Sequence, residues 1–125
     1  MHAHAQNTAK GARGETIACS YLETKGYAIL DRNFRTRFGE IDIIALHPQN
    51  KISFIEVKCK QGDKYGQPYE AVTEAKMMKL QKTITAYVLT HRLSKFKHAF
   101  EVVSITLKPD QTVEKILHFD SVAFG

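Results

Sequence analysis

Gly39-Glu40-Ile41-Asp42-Ile43-Ile44 and, after a short connection, Ile52-Ser53-Phe54-Ile55-Glu56-Val57-Lys58 are the two segments whose reading decides the fold of this chain. β-Branched and aromatic residues dominate both, which favours strands, and His47-Pro48-Gln49-Asn50-Lys51 between them is a turn-rich link of hairpin length. Alternation along the second strand puts Ile52, Phe54, Glu56 and Lys58 on one face and Ser53, Ile55 and Val57 on the other. In the first strand it groups Glu40, Asp42, Ile44 and Leu46. A hairpin closed by residues 47–51 pairs Leu46 with Ile52, Ile44 with Phe54, Asp42 with Glu56 and Glu40 with Lys58. Asp42 and Glu56 would then face each other with Cβ atoms roughly 4.5 to 5.5 Å apart, a like-charge pairing that destabilises a sheet. A divalent cation offsets that repulsion, because converging carboxylate oxygens are what Mg²⁺ or Mn²⁺ requires.

The plainer account is that Glu56 ion-pairs with Lys58 or a nearby Arg and that Asp42 sits in water at a strand end. Against it stands the setting: these carboxylates interrupt strongly apolar runs, where charges are seldom left without a partner or a task. Glu40 has three options on the same face: a salt bridge to Lys58, a share in the metal shell, or water.

Working outward, Thr8 to Lys25 predicts a helix, N-capped by Thr8, stopped by Gly26, with Ile17, Ala18, Tyr21 and Leu22 as its apolar face. Glu15 falls at the edge of that face and can point towards the sheet, while Gly11 and Gly14 suggest close backbone approach. Tyr27–Phe34 reads as the first strand, followed by a basic turn with Arg35 and Arg37. Gln61–Tyr69 is a polar loop, and Thr73–His91 a long helix whose stripe of Met77, Leu80, Ile84, Tyr87, Val88 and His91 is core. Phe100–Leu107 makes a fourth strand, and Val113–Phe119 adds a short edge strand. The order helix, three strands, helix, strand predicts an α/β sandwich, a mixed sheet flanked by helices with the long helix as crossover. Residues 1–7 are expected to be a flexible start and 8–125 a single domain.

The 125 residues carry 18 Lys plus Arg against 13 Asp plus Glu, a net charge of +5, and this basic balance favours polyanionic partners. Two cysteines, Cys19 and Cys59, show no metal-binding or disulfide spacing, and the six histidines are scattered. Reduced thiols, the absence of a run of roughly 20 apolar residues and the lack of a signal-like start together lead us to expect a cytoplasmic protein with no membrane role. No cofactor motif is visible, so no small organic cofactor is expected. Arg13, Arg32, Arg35 and Arg37 flank the acidic segments and suggest a DNA-contacting surface. Lys76, Lys79 and Lys82 recur along the second helix, where a solvated helix face is the alternative.

Several ordered blocks resemble the YraN family of predicted bacterial nucleases, related to archaeal Holliday junction resolvases and to the PD-(D/E)xK, or restriction-endonuclease-like, fold. They are Gly14-Glu15, Gly26-Tyr27, Arg32-Asn33-Phe34-Arg35, Gly39-Glu40-Ile41-Asp42, Phe54-Ile55-Glu56-Val57-Lys58, Tyr65-Gly66-Gln67-Pro68 and Glu70-Ala71-Val72. The resemblance implies a metal-dependent endonuclease in which Asp42 and Glu56 bind Mg²⁺ and Lys58 orients or activates the attacking water. Glu15 matches the acidic residue on the first helix, and Lys60 the basic residue two places after the motif lysine. Branched or otherwise structured DNA is the implied substrate, and a homodimer with two sites the implied assembly. A non-catalytic nucleic-acid binding protein that keeps the fold is the alternative. One departure stands out: Ala99-Phe100-Glu101-Val102 occupies a place where the family often has Arg-Phe-Asp-Val.

Overall fold

A computed structural model describes residues 5–62 and 73–120, and the side chains of the first helix from residue 12 onward. The elements are α1 (Ala5–Thr24), β1 (Ala28–Thr36), β2 (Gly39–Leu46), β3 (Ile52–Gln61), α2 (Glu74–Thr90), β4 (His98–Leu107) and β5 (Val113–Phe119). They form an α/β sandwich of the expected class, its five-stranded mixed sheet ordered β1-β2-β3-β4-β5. All neighbours are antiparallel except β3 and β4, which run parallel. Parallel neighbours need a crossover, and α2 supplies it.

α1 begins at Ala5, so Thr8 lies inside the helix rather than capping it; Ala5 and Gln6 are good helix formers and extend it backwards. Its other end is as expected. Gly26 takes φ +93, its N–H bonds the Glu23 carbonyl at 3.1 Å, and the Tyr27 N–H bonds the Leu22 carbonyl at 3.1 Å. This is a Schellman stop, and the buried Leu22 and Tyr27 side chains complete it. α2 starts at its cap, Thr73, whose side chain accepts from the Lys76 N–H at 3.2 Å. Gln61, read in sequence as loop, still belongs to β3; the loop from residue 63 onward and residues 1–4 lie outside the described residues.

Two cores sandwich the sheet. Ala18 and Leu22 of α1 pack with Tyr27, Ile43, Ala45, Ile55, Val103, Ile105 and Leu107. Ile84, Tyr87 and Val88 of α2 pack with Ile41, Ile44, Ile52 and Phe54, and the Tyr87 ring meets Phe34 edge-on at 5.0 Å. β4 is buried almost throughout while β5 is mostly exposed, as a central and an edge strand should be. No helix among the described residues is long and apolar enough to cross a membrane.

Ile55 and Val57 pack on the α1 side, while Ile52 and Phe54 pack on the α2 side. β3 therefore keeps the alternation read from sequence. β2 does not: Ile43 joins the α1 core and Ile41 the α2 core, although residues two apart on a regular strand share a face. The phase slips at Asp42.

Candidate active site at the parting of β2 and β3

The β2–β3 ladder runs from Leu46↔Ile52 to Ile43↔Ile55 and stops there. It ends one step short of the Asp42–Glu56 pair that the hairpin register predicts, and two steps further from the Glu40–Lys58 pair. Both strands continue on their outer sides, β2 along β1 to Gly39 and β3 along β4 to Gln61, so the sheet opens into a fork. Into this fork goes the Asp42 carboxylate, whose Oδ2 accepts the Val57 N–H at 2.8 Å. A side chain has replaced a backbone rung. The two carboxylates consequently do not stand in register, which avoids the like-charge opposition that pairing would impose.

Three acidic residues meet at the fork. Glu15, Glu40 and Asp42 each offer a carboxylate oxygen, and these atoms lie within 4.8 Å of one another. Glu15 reaches them because α1 sits very close to β3: a Cβ built on Gly14 would stand 2.9 Å from the Cys59 Cβ. Only glycine allows that approach. Glu15 is buried and pairs with Arg32 at 3.7 Å; Glu40 pairs with Arg35 at 3.4 Å. Asp42 has no cationic partner among the described residues. Burial, followed by the nearby negative charges of Glu15, Glu56 and Glu40, pushes its pKa up to about 7 against the opposing pull of the Val57 N–H. Uncompensated negative charge, held on oxygens in a half-buried fork, is the chemistry of a hard divalent cation site.

Glu56 and Lys58 stand on the neighbouring strand. Glu56 Oε2 lies 2.7 Å from Lys58 Nζ and 3.7 Å from Lys76 Nζ of α2. Burial works against the Lys58 ammonium, yet its contact with Glu56 and the charge of Asp42 raise its pKa overall, so it stays protonated. The rivalry over Lys58 is settled by this geometry: it takes Glu56, and Glu40 takes Arg35. Alternation already groups Glu40 with Asp42; what it does not announce is that Glu15 of α1 joins them.

A model of the Uncharacterised protein family UPF0102 matches residues 14–105. The chain belongs to this family. A UPF0102 protein of Syntrophus aciditrophicus is 44% identical over 121 residues, covering 96% of this chain and 94% of its own. Relatives from Clostridium botulinum and Clostridium tetani are 46% and 47% identical over 105 and 95 residues, with 83% and 76% of this chain covered and 85% and 77% of theirs. The matched stretch of this UPF0102 chain contains Glu15, Glu40, Asp42, Glu56 and Lys58. Membership establishes kinship; the chemistry has to come from the site.

The basic residues singled out in sequence have varied placements in this UPF0102 chain. Arg32, Arg35 and Lys76 are each paired with a carboxylate of the fork. Arg13 donates to the Gln111 carbonyl in the β4–β5 turn. The Arg37 guanidinium lies 5.0 Å from the Phe38 ring centre, and Lys60 is half-buried on β3.

Sequence reasoning missed a second polar centre, built around β4. Glu101, fully buried, accepts from Tyr27 Oη at 2.8 Å and from Ser53 Oγ, and its Oε1 lies 2.7 Å from His118 Nε2. His118 Nδ1 in turn meets Tyr21 Oη at 3.1 Å. The signal for it was a carboxylate inside the apolar run Phe100–Leu107.

Proposed function

We propose that this chain is a metal-dependent endonuclease that hydrolyses phosphodiester bonds in structured or branched DNA. The observation that carries the proposal is Asp42: a half-buried carboxylate with no ion-pair partner among the described residues, hemmed in by Glu15 and Glu40, one strand away from a protonated lysine. Asp42 would hold Mg²⁺ or Mn²⁺, with Glu56 as the second ligand once it leaves its lysines and with Glu15 and Glu40 closing the acidic side. When bound, such an ion supplies Lewis-acid stabilisation of the phosphate and lowers the pKa of water.

The residues of the chain do the rest. Lys58 presents its ammonium on the face of β3 that carries Glu56, where it stabilises charge developing on a non-bridging phosphate oxygen or orients the attacking water. The Val57 N–H fixes the Asp42 carboxylate at the fork, so the acceptor oxygens are positioned before substrate arrives. Arg32 and Arg35, paired with Glu15 and Glu40 at the fork, would meet phosphates entering it, and the net positive charge favours association with DNA.

The present engagement of Glu56 by two lysines favours a second reading, a DNA-binding protein without catalysis. One experiment separates the two. Purified protein is incubated with labelled linear, forked and four-way DNA in Mg²⁺, Mn²⁺ or EDTA, beside Asp42→Ala and Lys58→Ala. Cleavage is expected only with metal, reduced by about 10²–10³-fold or more in each variant. Equal binding by all three proteins with no cut under any metal selects the binding module. Binding that does not weaken with salt would remove nucleic acid from the account altogether.

A further inference from the structure

On the α2 side of Glu56, away from the Val57–Asp42 contact, a cavity of about 220 Å³ opens between the β1–β2 turn and α2, lined among others by Phe38, Glu56, Lys76, Lys79, Leu80 and Thr83. Apolar, cationic and carboxylate groups meet in its walls, Glu40 lining it beside Glu56. Phe38, Leu80 and the stems of the lysines are apolar, whereas the ammonium groups of Lys76 and Lys79 supply cations beside them. The base of the cavity is fixed by hydrogen bonds: Thr83 Oγ1 donates to the Lys79 carbonyl at 2.9 Å and lies 3.4 Å from Thr36 Oγ1, which accepts the Phe38 N–H at 3.0 Å. Arg37 and Lys82 also come within cation–π reach of Phe38, at 5.0 and 5.2 Å from its ring centre.

A bare phosphate gains nothing from apolar walls, and an apolar ligand gains nothing from cations. A nucleotide uses both, its base against the walls and its phosphate near the lysines. At this size, below the roughly 300–1,000 Å³ of drug-sized pockets, the cavity holds one ring system. A base stacked and paired inside a duplex cannot enter it without leaving the helix, which costs a few kcal/mol unless the base is already unpaired.

We propose that this cavity receives one unpaired nucleobase of the strand bound at the fork, so that the preferred substrate carries unpaired nucleotides at the cut, as forks, flaps and opened branch points do. The proposal rests on the nuclease reading for where the cut falls, but its binding test does not. Lys76 links the two places, since it borders the cavity and touches Glu56.

The test is fluorescence binding in EDTA, where nothing is cut, using a single strand, a blunt duplex and a fork of equal length with 2-aminopurine at successive positions. Wild type should bind single strand and fork about tenfold tighter than duplex, with a change in 2-aminopurine emission at one or two positions. Phe38→Ala and Phe38→Leu should remove about tenfold of the single-strand affinity, the scale of a lost base–aromatic contact, and leave duplex affinity unchanged. Phe38→Tyr should restore it. Phe38→Leu keeps the bulk of the turn, and a wild-type melting temperature certifies its fold. Equal affinity for all three DNAs, or a preference that no Phe38 variant alters, overturns the proposal even if cleavage is found. A Phe38-dependent preference without cleavage sustains it while the nuclease reading falls.

Discussion

Asp42 on β2 and Glu101 on β4 are two carboxylates of one sheet whose surroundings are opposite. Burial works to raise the pKa of Glu101, but hydrogen bonds from His118, Ser53 and Tyr27 outweigh it and hold the group below its ordinary value. Asp42 has one backbone N–H and three carboxylate neighbours, and its pKa rises to about 7. A carboxylate whose partners come from its own fold is structural. One that the fold leaves in debt is available to a ligand. Burial alone does not separate the two, since it presses on both; the donors do.

The largest expected effect comes from breaking the satisfied site. Glu101→Ala leaves the Tyr27 and Ser53 hydroxyls and the His118 ring without their acceptor, and should cost about 3–5 kcal/mol in total, from about 1–3 kcal/mol for each buried polar group left unsatisfied. Because the folded-state pKa of Glu101 is depressed, its contribution is complete above the ordinary carboxylate pKa and disappears as pH falls through the lower folded value. Urea titrations from pH 7 down to pH 3 should therefore show a wild-type acid limb that is shallower in the variant. Equal acid limbs would mean that Glu101 is not held as its geometry indicates.

The Asp42 site should respond in the opposite direction. Mn²⁺ at about a hundred times its dissociation constant should stabilise the wild type by about 2.7 kcal/mol, and should do far less for Asp42→Asn. Without metal the signs reverse. A raised folded pKa means that the native state prefers the protonated form, so wild-type stability declines as pH rises from about 4, the unfolded value, to the folded value of about 7. Asparagine imitates the protonated acid. Asp42→Asn should thus be more stable than metal-free wild type at pH 8 by about 1–3 kcal/mol, a discount on the full shift for partial exposure, and equal to it near pH 4. A variant less stable than wild type at pH 8 would contradict the charge imbalance at the fork.

The sequence carried this contrast unevenly. The β2–β3 hairpin, its first four rungs and the order of the elements were legible, because turn residues and two-residue alternation are local signals. Asp42 was legible as a charged residue in an apolar run, but the face it serves was not. The ladder opens one rung before it, and the Val57 N–H then takes a side chain in place of backbone, a choice made by tertiary packing. Lys76 reaches Glu56 from α2, twenty residues away, through a crossover whose placement no local pattern encodes. Glu101 reads in sequence as a departure from a resembling motif; its partners come from Tyr27, β3 and β5, and only the assembled sheet brings them together.

The smallest effect on stability belongs to the contact that carries α1 to the fork. Gly14→Ala gains up to about 1 kcal/mol of helix propensity, while the new methyl, 2.9 Å from the Cys59 Cβ, costs about 1–3 kcal/mol of overpacking unless the helix moves. A small shift of α1 relieves most of that cost, so the melting temperature without metal should change little. The same shift draws Glu15 away from Asp42 and Glu40, whose oxygens now lie within 4.8 Å of its own. Mn²⁺ affinity measured by calorimetry should fall several-fold even though the fold survives. Unchanged affinity in a folded Gly14→Ala protein would mean that Glu15 serves Arg32 alone, and that the cation site is built by the sheet without the helix.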